Sequence, residues 1–175
     1  VDWIFIDPAR RDGRGGKTVA ISDCEPDVSA LEDLLLEKAP HVLVKLSPML
    51  DLALALHDLK HVQVAHIVSV NNECKELLLV LGRETHLSSE EVPIHCINLM
   101  TSQTTQCLLF TRQQEKEYSC PYTSTLKTYL YEPNASILKA GAFRSVSSIY
   151  NVEKLHPNSH LYTSDESVSY THLTL

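Results

Sequence analysis

A carboxylate, a proline and two arginines stand together near the start of the chain, as Asp-Pro-Ala-Arg-Arg at residues 7–11. They follow residues 1–6, a short apolar run typical of a buried parallel strand. Pro8 ends that strand because proline cannot donate to a sheet ladder, so Asp7 is its last residue. Ligands bind at this carboxyl edge in open α/β sheets. The pattern therefore predicts a site, with plain Asp-Pro turn chemistry as the alternative.

A basic, glycine-rich stretch follows and carries Arg11, Arg14 and Lys17 among three glycines. Its spacing is neither that of a Walker loop nor that of G-x-G-x-x-G, so a nucleotide-phosphate loop is not indicated. With Arg10 it predicts a flexible basic loop over the strand edge. Such cations position a nucleic-acid backbone without reading its sequence. A simple solvated connection is the alternative.

Apolar segments alternate between strand-like and helix-like patterns through residues 1–83. After the first strand they predict helix 28–38 capped by Asp27 or Ser29, strand 41–48, helix 51–59, strand 62–70, turn 71–73 and strand 75–81. Helical crossovers should make the first three strands parallel, and the short turn should make the last one antiparallel. Further along, strands are expected at 94–100, 106–112 and 161–163, and a helix at 135–146, with a charged segment at 113–117.

Composition indicates a soluble globular protein, with 43% hydrophobic and 21% charged residues and a formal net charge of −7. The charge argues against a broad polyanion-binding surface. Five cysteines without a C-x-x-C pair, and nine scattered histidines, predict no metal site and reduced thiols in a cytoplasm. No apolar run is long enough for a membrane span. No signal peptide is visible, and Val1 lies within the first strand, so we expect the chain to begin inside a domain.

The predicted strand order resembles the C-terminal half of a class I S-adenosylmethionine-dependent methyltransferase. Residues 7–10 are similar to the motif after the family's fourth strand, commonly D-P-P-Y. More closely, the chain resembles bacterial members with a ferredoxin-like insert and a C-terminal THUMP-like domain. The stretches behind that resemblance are D-P-A-R-R at 7–11, V-K-L-S-P-M-L-D at 44–51, Y-L-Y-E-P-N-A at 129–135, L-K-A-G-A-F at 138–143 and L-H-P-N-S-H-L-Y at 155–162.

The resemblance implies a fold class and a domain plan. The fold would be α/β, half of a Rossmann-like sheet of parallel strands plus an antiparallel terminal hairpin, at residues 1–83. A small ferredoxin-like β module would follow at 84–122 and an incomplete α+β THUMP-like domain at 123–166. Residues 167–175 resemble a translated sequencing adapter, so we expect a non-native tail there.

The resemblance also implies methyl transfer from S-adenosylmethionine, with RNA as the substrate because THUMP domains are associated with RNA binding. Asp7 would accept a hydrogen bond from the target amino group, and the Pro8 carbonyl would be a second acceptor. The family's fourth motif residue is aromatic and stacks on the flipped base. Arg10 replaces it here, and a guanidinium plane is all it offers for stacking.

The next strand carries two further candidates for binding the substrate, Lys45 and Ser47. Methyltransferases that attack pyrimidine C5 place a cysteine near this strand end, and none is present, which disfavours that covalent mechanism. Lys45 and Ser47 would line the target pocket together with Arg10, Arg11 and Arg14. A charged sheet edge and a helix N-cap at Ser47 are the alternative interpretations.

The family's cofactor-binding glycine loop and acidic ribose ligand belong to its first two strands, which would precede Val1. Asp7 is the one residue of this chain expected near the cofactor. We therefore expect the chain to be a fragment that is inactive by itself. A non-catalytic RNA-binding or scaffold protein that keeps the methyltransferase fold is the alternative, and the sequence predicts no oligomeric state.

Overall fold

The computed structural model describes residues 1–10, 20–101 and 104–168. The chain divides into two compact units, Val1–His66 with Lys75–Ile94, and Ile67–Cys74 with His95–Leu175. The basic loop around Arg11 and Arg14 lies outside the described residues, as does most of the predicted tail. No helix in the described ranges is both long and apolar enough to cross a bilayer. The predicted three-part domain plan stays a prediction.

The first unit alternates strands and helices as the sequence predicts. Its elements are β1 Trp3–Ile6, β2 Ala9–Arg10, a 3-10 turn Ile21–Asp23, β3 Cys24–Glu25, α1 Val28–Lys38, β4 His41–Leu46, α2 Leu52–Asp58, β5 Val62–Val70 and β6 Glu73–Gly82. The β5–β6 hairpin extends into the second unit. Its turn places Asn71 and Asn72 at φ 47° and 63°, left-handed conformations that asparagine tolerates and that two-residue hairpins require.

The sheet of the first unit is mixed. Its strands lie in the order β1–β4–β6–β5, with β1 parallel to β4 and β6 antiparallel to β4. The parallel register runs from Trp3 opposite His41 to Ile6 opposite Val44. The predicted α/β class is thereby confirmed, with a sheet that contains both parallel and antiparallel strands. The Rossmann-like assignment of this sheet stays a prediction.

Side chains alternate across β4, and those of Val42, Val44 and Leu46 are buried in the core. The expectation that β1 is fully buried is wrong. Trp3 and Phe5 are 55% and 61% exposed, because β1 is the edge strand of this sheet order and one of its faces is open.

The helices α1 and α2 each begin at an aspartate. Asp27 Oδ1 accepts from the backbone N–H of Ser29 and Ala30, so Asp27 is the N-cap of α1. Asp51 Oδ1 accepts from Leu54 N at 3.0 Å and caps α2. The alternative interpretation of Ser47 as a helix N-cap is therefore wrong, since α2 begins at Leu52 and its N-cap is Asp51. These caps satisfy orphan N–H groups of the first helical turn.

The second unit contains shorter elements. They are β7 Ile94–Leu99, β8 Gln106–Phe110, α3 Arg112–Glu117, β9 Tyr129–Tyr131, α4 Ala135–Ala140, α5 Phe143–Tyr150, β10 Glu153–Lys154 and β11 Tyr162–Ser164. The strands β7 and β8 follow β5 in their sheet, and β10–β11–β9 form a separate antiparallel sheet.

Two helical features of this unit differ from the sequence expectation. Gly141 adopts φ 68° and ends α4, so the single helix expected at 135–146 is two helices. The charged segment 113–117 is the helix α3, which begins with a reciprocal pair: Gln114 N donates to the Thr111 hydroxyl and Thr111 N donates to the Gln114 side chain.

A carboxylate from α3 caps α5. The N-cap residue Ala142 has no side-chain acceptor, and Glu115 takes its place by accepting from Arg144 N and Ser145 N, both at 2.8 Å. A negative charge at this end is also favoured by the helix dipole. The two helices are therefore held together by capping as well as by packing.

Buried amides link the strands of the second unit to α4. Gln106 Oε1 accepts from Asn98 Nδ2 at 2.8 Å and from Asn134 Nδ2 at 3.1 Å. Asn134 Oδ1 in turn accepts from the Ser136 hydroxyl and its backbone N–H, and Asn98 Oδ1 accepts from Asn72 N. We call Asn98, Gln106 and Asn134 the amide network. Its three side chains are almost fully buried, and their bonds to one another compensate for the loss of water.

Candidate active site

Asp7 lies one residue beyond the end of β1, at the carboxyl edge of that strand. Its side chain is 50% exposed, whereas Pro8 is buried. Ala9 and Arg10 form β2, in which Arg10 pairs with Cys24 of β3. The expectation that Arg10 belongs to a loop is therefore wrong for its backbone. Arg11 and Arg14, the other expected cations, fall outside the described residues.

Lys45 of β4 stands beside Asp7 because the parallel register that pairs Ile6 with Val44 brings the following residues side by side. Lys45 Nζ donates to Asp7 Oδ2 at 2.8 Å. Glu76 Oε2 lies 3.9 Å from the same nitrogen. The exposed fractions of the Lys45 and Glu76 side chains are 33% and 38%, so the group is open to solvent. We call Asp7, Lys45 and Glu76 the charged trio.

The carboxylates alter the electrostatics of the lysine. The hydrogen bond to Asp7 is the main cause that raises the pKa of Lys45 above its ordinary value. Partial desolvation opposes this rise, and the charge of Glu76 adds to it. Lys45 is therefore an ammonium at neutral pH and serves as a donor, with no capacity to act as a base there.

Ser47 stabilises the turn that follows β4. Its hydroxyl oxygen accepts from Met49 N at 3.2 Å, and its carbonyl accepts from Leu50 N at 3.1 Å. These bonds shape the connection to α2. A role for Ser47 in lining a substrate pocket stays a prediction.

Glu76 is the functional candidate that the sequence analysis missed. It lies in β6, where the antiparallel register sets Lys45 opposite Leu78. Residues two apart on a strand share one face of the sheet, so Glu76 lies diagonally next to Lys45. The predicted turn at 71–73 and strand at 75–81 already place Glu76 on a strand. Its position next to Lys45 follows only once β6 is known to pair with β4.

No group of three histidine, cysteine or acidic side chains within the described part of the chain is arranged to hold a metal ion. The charged trio consists of one hydrogen-bonded carboxylate, one ammonium and a second carboxylate. Such a set can accept a hydrogen bond from a substrate N–H and can orient it. Asp7 is the member nearest the open carboxyl end of β1.

The chain is similar to a solved protein over most of its length. The crystal structure of a candidate methyltransferase from Porphyromonas gingivalis W83 shares 44% sequence identity with it and superposes with a TM-score of 0.90. That similarity covers 98% of this chain and 42% of the other, so the chain spans less than half of that protein. No curated protein matches the chain.

A family profile for a ferredoxin-like domain matches residues 129–170. The match begins at β9 and includes α4, α5 and the small antiparallel sheet of the second unit. It lies C-terminal to residues 84–122, where the sequence predicts a ferredoxin-like module. It overlaps residues 123–166, the segment expected to be THUMP-like, and continues to residue 170 in the expected tail. A ferredoxin-like domain is therefore present in the chain at the later position.

Proposed function

We propose that the chain is part of a class I, S-adenosylmethionine-dependent methyltransferase that acts on RNA. The observation that carries the proposal is the half-exposed Asp7 at the carboxyl end of β1, parallel to β4. Ligands of doubly wound sheets bind at that edge. The 44% identity to a candidate methyltransferase supports the same reaction class.

The half-exposed carboxylate of Asp7 supports this reaction in one respect, because it can accept a hydrogen bond from a target N–H. Bound S-adenosylmethionine would supply a methyl group on a positively charged sulfur. The amine lone pair would form a bond to the methyl carbon as the carbon–sulfur bond breaks, the sulfur would leave as a neutral thioether, and the amine would release a proton to solvent. Asp7 accepts a hydrogen bond from the target N–H and so directs the lone pair towards the methyl carbon. The Pro8 carbonyl is proposed as a second acceptor. Holding the reacting groups in line supplies most of the rate enhancement.

RNA is proposed as the substrate on weaker grounds. The resemblance implies a THUMP-like domain at residues 123–166, and the stretch with Arg10, Arg11 and Arg14 offers cations for phosphate contacts. We place the protein in the cytoplasm because its five cysteines show no C-x-x-C pair and fit reduced thiols. The residues that bind the cofactor are proposed to belong to a part of the protein outside this chain. We therefore expect the isolated chain to be inactive.

The test uses the full-length gene product and an Asp7→Ala variant. Tritium transfer from methyl-labelled S-adenosylmethionine to total RNA from a gene-deletion strain gives the activity, and calorimetry gives the affinity for the cofactor. We expect transfer to fall by about 100-fold or more, since a positioned acceptor contributes on that scale, with cofactor affinity within about twofold.

The matched control is Asp2→Ala, which removes an exposed aspartate at the amino end of the same strand and should leave transfer unchanged. Unchanged turnover in Asp7→Ala removes Asp7 from the mechanism. If the wild type binds RNA but transfers no methyl group, the alternative of a non-catalytic RNA-binding protein is favoured.

A further inference from the structure

Lys45 lies between the carboxylates of Asp7 and Glu76 and therefore differs in role from a lysine that contacts a ligand. We propose that Lys45 is a positioning residue that acts through Asp7, and that Glu76 holds Lys45 in place. The inference rests on the proposed function and deepens it. It also replaces the expectation that Lys45 binds the substrate directly.

The contacts of Lys45 carry this inference. Its ammonium donates to Asp7 Oδ2 at 2.8 Å and lies 3.9 Å from Glu76 Oε2. One positive charge therefore stands among two negative charges, and the charged trio has a formal charge of −1. A phosphate that approaches Lys45 meets both carboxylates, and juxtaposed like charges are strongly unfavourable. The ammonium is thus poorly suited to contact an RNA backbone.

The same geometry favours a role in orienting Asp7. Asp7 follows the last residue of β1 and is half exposed, so its carboxylate could adopt several rotamers without a partner. Lys45 comes from the neighbouring strand and fixes one carboxylate oxygen relative to the sheet. Displacing a reacting group by 1 Å can cost about 100-fold in rate. Glu76 narrows the choice of lysine rotamers by attracting the ammonium from the other side.

The kinetic test compares Lys45→Met, Lys45→Arg and Glu76→Gln in the full-length protein. Methyl transfer to total RNA from the deletion strain is measured over a range of RNA and salt concentrations. We expect Lys45→Met to lower kcat by about 10- to 100-fold, with KM and the salt dependence of KM unchanged. Lys45→Arg keeps a donor for Asp7 and should restore most of kcat, and Glu76→Gln should have a smaller effect than Lys45→Met.

A phosphate contact gives the opposite result. KM would rise with kcat unchanged, and the slope of log affinity against log salt would fall by about one. That outcome, or kinetics in Lys45→Met equal to those of the wild type, overturns the inference. Lys38→Met is the matched control because Lys38 pairs with Glu37 on the exposed surface of α1.

A second measurement does not depend on activity. Acetylation of lysines by an N-hydroxysuccinimide ester, followed by peptide mass spectrometry, reports how freely each ammonium loses its proton. Lys45 should react more slowly than Lys38, and Asp7→Asn should raise the rate at Lys45 alone. If Lys45 is acetylated at the same rate in the wild type and in Asp7→Asn, the pairing of Lys45 with Asp7 is overturned. If the wild type transfers no methyl group, the proposed function and this inference are both overturned. If Asp7→Asn changes the acetylation of Lys45 but Lys45→Met has the kinetics of the wild type, only the inference is overturned.

Discussion

Polar side chains are arranged in two different ways in the two units. In the second unit the amide network is buried, and its members bond to one another and to backbone groups. In the first unit the charged trio is one-third to one-half exposed and stands at the end of a strand. Buried polar groups must satisfy each other, and this fixes the structure around them. Half-exposed charges contribute little to folding and stay accessible to a ligand.

The largest effect that this comparison predicts is at the centre of the amide network. Asn134 caps α4 with its oxygen and donates to Gln106 with its nitrogen. Asn134→Ala removes these bonds, so that Gln106 loses one of its donors and the Ser136 hydroxyl loses its acceptor in the core. We expect a loss of about 3 kcal/mol in the free energy of unfolding, measured by urea denaturation.

The exposed Asn158 provides the matched substitution for this experiment. Asn158→Ala should change stability by less than about 0.5 kcal/mol, as is usual for surface positions. Equal losses of stability in the two variants would mean that the buried Asn134 contributes no more to the free energy of unfolding than an exposed asparagine does.

A smaller effect is expected at Glu32, which extends the comparison to a buried carboxylate of the first unit. Glu32 is 2% exposed and accepts from Lys60 N and His61 N at distances of 2.8–3.0 Å. Glu32→Ala removes the acceptor of the Lys60 and His61 N–H groups, which lie just before β5. We expect a loss of about 2 kcal/mol in the same urea assay.

Glu37→Ala is the control for Glu32, because Glu37 lies on the same helix with a side chain that is 68% exposed. Its substitution should be nearly neutral. A neutral Glu32→Ala would show that water replaces the carboxylate at the start of β5. The contrast between buried and exposed polar groups would then not hold in the first unit.

The sequence predicts the first unit well because its signals are local. The helix at 28–38 and the strand at 62–70 have the predicted bounds, and Asp27 caps the helix as one of two expected residues. Pro8 likewise predicts the strand end to within one residue, since β1 ends at Ile6 and the strand was expected to end at Asp7. A cap, a periodic apolar face and a proline each act within a few residues.

The features that the sequence analysis missed depend on pairing at a distance or on weak periodicity. Glu76 joins the charged trio because β6 is adjacent to β4, which no local pattern reveals. The helix α3 has no apolar face, so its only signal was the Thr111–Gln114 capping pair. From the sequence, Gly141 is a residue of low helix propensity inside an expected helix. Its left-handed conformation shows instead that it ends α4.

The smallest effect concerns the charged trio and its dependence on pH. The pKa of Lys45 is raised in the folded chain, mainly by the hydrogen bond to Asp7. A raised lysine pKa stabilises the fold at pH values below the ordinary lysine pKa of about 10.4, and the contribution is lost as the pH rises through the folded value. Lys45→Met should therefore lower the urea midpoint slightly at pH 7 to 9. The difference from the wild type should disappear at more alkaline pH.

The expected size follows from exposure. Lys45 is one-third exposed and Asp7 half exposed, so solvent and salt screen the pair, and the effect should be far below that of Asn134→Ala. Urea midpoints of the wild type and Lys45→Met, measured from pH 7 to pH 11, check this. A loss at pH 7 as large as that of Asn134→Ala would make Lys45 part of the structural core. The distinction between a buried network that maintains the fold and an exposed trio available to a substrate would then fail.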